Sequence, residues 1–192
     1  YQRTPRDEGT SNMSSKIRNG MNITKVVKGC LVLILMVISG CSAANYDDYT
    51  AGDLRAINHI KGISINWFTV NGYRVHGLGG GYCCIMLPEK WHSGLKARIE
   101  WEVDPTPLEP IAMKKEGFGY EEDAYAKHAA NYQKYKVIVD IPEYGAERCG
   151  LTVHFLSCNQ IKVTTVCQKY GTPNYPIKEP REMKEPATCP AK

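Results

Sequence analysis

Lys96-Ala97-Arg98-Ile99-Glu100-Trp101-Glu102-Val103 decides the fold class. Ala97, Ile99, Trp101 and Val103 alternate with Lys96, Arg98, Glu100 and Glu102. A period of two puts one face of a strand in an apolar core and the fully charged face in water. Asp104-Pro105-Thr106-Pro107 then stops the strand. Upstream, Leu54–Ile60 and Ile63–Val70 are rich in β-branched and aromatic residues, and Asn71-Gly72 marks a turn after the second. Downstream, acidic residues crowd the start of a helical segment at about Glu121–Gln133, where the helix dipole favours them. Tyr125, Ala129 and Tyr132 share one face of it. Strands resume at Tyr135–Ile141, Leu151–Ser157 and Gln160–Gln168. Five of the eleven prolines fall in residues 171–192, which predicts an extended arm on the surface. The expected architecture is mainly β (α+β by strict count). It is one antiparallel, sandwich-like domain at 53–170 with a single inserted helix near 121–133.

The N-terminal part reads differently. Met21 opens a segment with Lys25 and Lys28, then nine apolar residues from Cys30 to Ile38, then Ser39-Gly40-Cys41. This is the layout of a secretory signal over 21–40. Nine residues of helix cover about 13 Å, well short of a hydrocarbon core of roughly 30 Å. The ending resembles a bacterial lipobox, in which the Cys is diacylated and becomes the mature N-terminus. Cys41 is thus the expected lipidation site, with residues 41–52 as a small, polar tether. Residues 1–20 carry no apolar periodicity and read as a non-native or disordered extension before a start at Met21 or Met13.

Removing the 40 residues before Cys41 leaves 152 of the 192, enough for one domain with a real core. The net charge of +4 goes with the removed segment, leaving 18 basic and 18 acidic residues. No electrostatic footprint for nucleic acid is expected to survive.

Six cysteines remain in the expected mature chain, and an even number in an exported domain points to disulfides. Cys149 and Cys158 bracket one expected strand, and Cys158 and Cys167 the next. Eight or nine residues of strand separate their ends by roughly 27–30 Å, whereas a disulfide needs Cα atoms within about 7 Å. With Cys158-Asn159 as a hairpin turn, position i faces 317 − i, so Cys149 and Cys167 are diagonal neighbours and the preferred pair. Cys158 needs another partner, Cys189 is available to pin the arm, and Cys83 and Cys84 complete the candidates.

Chemical motifs are sparse. His76-Gly77-Leu78-Gly79-Gly80-Gly81-Tyr82-Cys83-Cys84 begins like a phosphate loop, but Tyr82 replaces the last glycine and no lysine or βαβ context follows. A hairpin connection is the plain reading, and an interface loop presenting His76 and Tyr82 the functional one. A metal site from Cys83, Cys84 and His92 is disfavoured, because adjacent strand residues face opposite ways. The five histidines, His59, His76, His92, His128 and His154, are scattered, and most read as ordinary surface or strand residues. Neither G-x-S-x-G nor H-E-x-x-H occurs, so the expectation is a protein that is not an enzyme, with no cofactor and no metal. Trp91 and His92, adjacent in a turn, are further candidate partner-binding residues, with Trp91 an interface anchor if exposed.

Three stretches carry a resemblance: Ile57-Asn58-His59 leading to Trp67-Phe68-Thr69-Val70-Asn71-Gly72-Tyr73; Gly79-Gly80-Gly81-Tyr82-Cys83-Cys84-Ile85-Met86-Leu87-Pro88-Glu89-Lys90-Trp91; and Val139-Asp140-Ile141-Pro142-Glu143-Tyr144 with Leu151-Thr152-Val153-His154-Phe155-Leu156. Over roughly residues 53–177 the chain resembles the DUF3304 family of small bacterial lipoproteins. That resemblance implies kinship with type VI secretion lipase immunity proteins, and hence a cognate phospholipase effector as partner. It also implies a lipid anchor in the outer membrane, facing the periplasm. Ser42 after the lipidated Cys resembles outer-membrane sorting. The resemblance supplies no catalytic residues. A non-enzymatic envelope lipoprotein with a scaffolding or ligand-binding role is the alternative.

Overall fold

The computed structural model describes residues 48–78 and 81–190. The expected extension 1–20, the signal segment 21–40 and Cys41 lie outside the described residues, as do Gly79 and Gly80. The described elements run β1 (Tyr49–Asn58), β2 (Ser64–Val70), β3 (Tyr73–His76), β4 (Tyr82–Pro88), β5 (Lys96–Asp104), α1 (Glu122–Ala129), β6 (Gln133–Asp140), β7 (Leu151–Leu156) and β8 (Gln160–Thr164). They form two four-stranded sheets, ordered β4-β1-β7-β8 and β3-β2-β5-β6. Every pairing is antiparallel except β1 with β7, which is parallel. Parallel neighbours need a long connection, and here the whole second sheet intervenes between them.

The alternation of β5 is realised: Ala97, Ile99, Trp101 and Val103 are buried, while Lys96 and Arg98 stand in water. Aromatic rings join the sheets. Phe155 of β7 meets Phe68 of β2 edge-on at 5.6 Å and Trp101 of β5 at 5.8 Å. Such offset contacts add modestly to the burial that holds the layers together. Strand β7 is buried on both faces. Leu151, Val153 and Phe155 enter the inter-sheet core, and the C-terminal arm lies over the other face.

Four local expectations change. Strand β1 starts at Tyr49, inside the stretch read as tether, because residues 49–52 pair with Ile85–Pro88. The glycine-rich loop is not a hairpin connection: β3, which precedes it, pairs with β2 in one sheet, and β4, which follows it, with β1 in the other. Helix α1 is shorter than expected and buries His128, whereas Tyr125 on the anticipated face is exposed. Between β7 and β8 the turn is Ser157–Asn159, with positive φ at Cys158 and Asn159. A three-residue turn shifts the register to Leu156↔Gln160 and Thr152↔Thr164.

Carried on past the ladder, that register sets position 149 directly opposite 167. Cys149 and Cys167 are bonded, with Cα atoms 4.8 Å apart. Beside them the backbone of β1 presses on the start of β7. A Cβ on Gly150, whose φ is +71°, would lie 1.9 Å from the Asp53 carbonyl oxygen, so only glycine fits. The arm is extended as expected but is part of the domain: Tyr175 and Ile177 are buried. Met183 exchanges backbone hydrogen bonds with His59 and Lys61, and Cys189 is bonded to Cys158.

Candidate functional site

The four residues expected to contact a partner do not form one patch. His76 is exposed at the end of β3, and the Tyr82 hydroxyl donates to its carbonyl at 2.8 Å, tying β3 to the start of β4. Trp91 is half-buried, and its indole N–H donates to the Ile141 carbonyl at 2.9 Å, a structural bond rather than an open anchor. His92 beside it is exposed. Strand β4 separates the two pairs by about 20 Å. Cys83 and Cys84 are bonded to each other at the start of that strand.

Three of the five histidines, most of which read as ordinary, are buried in polar networks. His59 and His154 are fully buried. His59 Nδ1 lies 2.9 Å from the Pro180 carbonyl, which can only accept, so that nitrogen carries the hydrogen. His59 Nε2 then accepts from His154 Nδ1 at 2.7 Å, and His154 Nε2 accepts from the Tyr175 hydroxyl at 2.7 Å. Every group is satisfied with both imidazoles neutral. Burial, followed by the neighbouring His59, lowers the His154 pKa to about 4, and burial raises that of Tyr175. Around this chain Tyr170 packs edge-on against both His59 and Tyr175, and its hydroxyl donates to the Glu179 carbonyl at 2.5 Å. Lys162 pairs with Glu179 and holds its carboxyl below the usual range.

The other network lies at the far end of β5. Asp104 accepts from His128 Nε2 at 3.0 Å through one oxygen and from the Thr106 N–H at 2.9 Å through the other. Both acidic and imidazole side chains are almost fully buried. His128 Nδ1 is buried without a hydrogen bond, 3.7 Å from a Glu109 oxygen. Tyr132 packs edge-on against the ring, and burial pushes its pKa to about 12. This contact docks α1 and the base of the preceding loop onto the sandwich.

A comparison with known families adds one finding. The family described as "Protein of unknown function (DUF3304)" matches residues 57–163, more than half of the chain. The chain belongs to the DUF3304 family. No curated protein and no solved structure matches it. The DUF3304 span contains His59, Asp104, His128 and His154, but ends before Tyr175, Pro180 and Cys189, which fasten the arm. One sequence signal for the buried chain was available: His154 interrupts the run Leu151-Thr152-Val153-His154-Phe155-Leu156, where a titratable residue needs a buried partner.

On the arm side of this DUF3304 domain, a groove of about 560 Å³ is lined by residues including Arg55, Thr152, Lys169, Tyr170, Tyr175 and Arg181. Arg55 is paired with Asp53 at 2.6 Å, and Arg181 lies over the Tyr170 ring at 5.3 Å.

Proposed function

We propose that this protein is a lipid-anchored, periplasm-facing immunity protein that binds and neutralises a phospholipase effector of a type VI secretion system. The observation that carries the reading is Ile38-Ser39-Gly40-Cys41 set in front of a disulfide-braced sandwich. From Cys41 to Tyr49 the chain reaches at most about 28 Å. A lipid on Cys41 therefore keeps the sandwich within roughly its own length of the bilayer a phospholipase attacks. Rigidity matters to a stoichiometric inhibitor, because an interface already in its bound shape loses little entropy on binding. Two disulfides outside the ladders supply it here, tying the segment before β7 to the segment after β8 and the arm to the β7–β8 turn.

The test is to express a G-x-S-x-G phospholipase encoded beside the gene in the periplasm, with and without this protein. Rescue of growth is expected, and survival unchanged by its presence sinks the reading. Separately, Cys41→Ala should move the protein out of the membrane fraction; continued retention counts against the anchor.

The groove holding Arg55, Lys169 and Arg181 favours a second reading, an envelope lipoprotein that binds an anionic ligand. Lys169→Glu should leave rescue intact under the first reading.

A further inference from the structure

Strands β5 and β6 are joined by residues 105–132, an excursion that runs through a short hairpin and then α1. Met113 and Tyr120 bridge this Phe118 hairpin, and Phe118 at its turn is fully exposed. The base of the excursion carries an unsettled polar group. The Asp104 and His128 side chains are almost fully buried there. Among the described residues, His128 Nδ1 is the one buried side-chain nitrogen or oxygen without a hydrogen bond, a condition folded proteins rarely leave uncompensated.

The partner of His128 fixes its tautomer. An ionised carboxylate only accepts, so His128 Nε2, 3.0 Å from Asp104 Oδ2, carries the hydrogen. In the neutral ring Nδ1 then holds a lone pair, and Glu109 Oε2 lies 3.7 Å from it. Two acceptors face each other with no hydrogen between them. A proton on Nδ1 does not close the gap, because 3.7 Å is beyond hydrogen-bond reach.

The surroundings need positive charge. Among the described residues, no lysine or arginine pairs with Asp104 or with Glu109. A carboxylate that takes the far N–H of an imidazole is the usual outer partner of a metal-bound histidine: it orients the ring and raises the basicity of the other nitrogen. Zinc lies about 2.0–2.1 Å from a histidine nitrogen and about 2.0–2.2 Å from a carboxylate oxygen, so tetrahedral ligands stand about 3.4 Å apart. Glu109 has about 0.3 Å to close, and its side chain, 56% exposed, has room to do so and leaves an entry from solvent. The carboxylate is already held near that position. The Thr106 hydroxyl donates to the same oxygen at 3.1 Å, and Glu109 N–H to the Thr106 carbonyl at 3.0 Å.

We propose that His128 Nδ1 and Glu109 Oε2 bind one divalent transition-metal ion of the zinc class, with water completing its coordination. A nitrogen and an oxygen donor suit Zn²⁺ better than Mg²⁺ or Ca²⁺, which take oxygen ligands. The ion clasps the start of the excursion to α1 and balances the two carboxylates. With two protein ligands it is an exchangeable clasp rather than a closed structural site. No short spacing announces it, because the ligands come from opposite ends of the excursion.

The experiment titrates Zn²⁺ into the EDTA-treated, oxidised full chain and into Glu109→Gln, by calorimetry and by NMR of the imidazole nitrogens. Glu109→Gln changes an exposed side chain and should keep the wild-type melting temperature without metal. Wild type should take up one Zn²⁺ that the variant binds more weakly by on the order of 10-fold or more. The His128 Nδ1 resonance of wild type should move on binding. Zn²⁺ should also raise its melting temperature and slow proteolysis within 105–132, with neither effect in the variant. Exposed His76 and His92 give a weak background common to both proteins. Equal affinity of the two proteins, an unmoved His128 Nδ1 resonance, or the same response to Mg²⁺ overturns the proposal. Wild type that takes up no Zn²⁺ above background also overturns it and leaves a proton or a water at His128 Nδ1. If Glu109→Gln does not fold, the His128 Nδ1 resonance of wild type decides alone.

Discussion

Two segments leave the sheets, residues 105–132 and the C-terminal arm, and each is fastened by buried histidine. They are fastened differently. The arm closes on the uncharged chain Tyr175, His154, His59, Pro180, in which every donor meets an acceptor. The excursion hangs on a carboxylate, Asp104, that serves both His128 and a backbone N–H, and it leaves His128 Nδ1 unbonded. One segment covers a sheet face and buries Tyr175 and Ile177; the other keeps Leu108 and Phe118 in water. Covering a core face and presenting a surface place opposite demands on a segment, and the two fastenings follow that division.

The largest expected effect comes from cutting the arm's covalent tie. Cys158→Ala with Cys189→Ala opens a loop of about 30 residues and should cost about 3–4 kcal/mol. Urea midpoints of the double variant and wild type under non-reducing conditions check it, and coincident midpoints break the account of the arm as part of the domain.

Acid is next. The His154 pKa is lowered from 6.5 to about 4 in the folded protein. Between those values the unfolded chain binds more protons, so stability rises with pH across that window and is lost on acidification. The full window is worth about 3 kcal/mol. His154→Gln should unfold more readily at pH 7 yet lose less stability than wild type between pH 6.5 and 5. Parallel pH profiles for the two proteins refute the neutral-chain assignment.

Asp104→Ala strips two donors of their acceptor at once and should cost about 2 kcal/mol. New proteolytic cuts are expected in 105–132 while the arm stays resistant. Tyr175→Phe, the mildest, leaves His154 Nε2 unbonded at about 1–2 kcal/mol, with new cuts in 171–190 and none in 105–132. A common cleavage pattern for both variants would erase the distinction between the fastenings.

The fold was legible wherever one strand carries its own alternation. In β5, four apolar and four charged residues specify a face without help from any neighbour. The Cys149–Cys167 pairing was legible too, but its register was one residue off. A turn with positive φ at Cys158 and Asn159 involves non-glycine residues, whose sequence does not announce that conformation. Strand β4 hid inside a glycine-rich stretch because its partner, β1, is distant in sequence. His92 and Trp91 looked like candidates by adjacency alone, and adjacency carries no information about which side chain meets water. His59 and His154 are 95 positions apart and share one hydrogen bond; no local pattern encodes that distance.

By itself the sequence determined the class of the protein: a mainly β domain, with cysteines in even number in the part expected to be exported, behind a signal-like segment. These follow from composition and from periods of a few residues, which any short window contains. Tertiary structure alone decided which sheet each strand joins, that β1 and β7 run parallel, that the arm closes over His59 and His154, and that the Phe118 hairpin stays in water. Those outcomes depend on contacts between residues far apart in the chain, and burial is a property of the surroundings rather than of the residue.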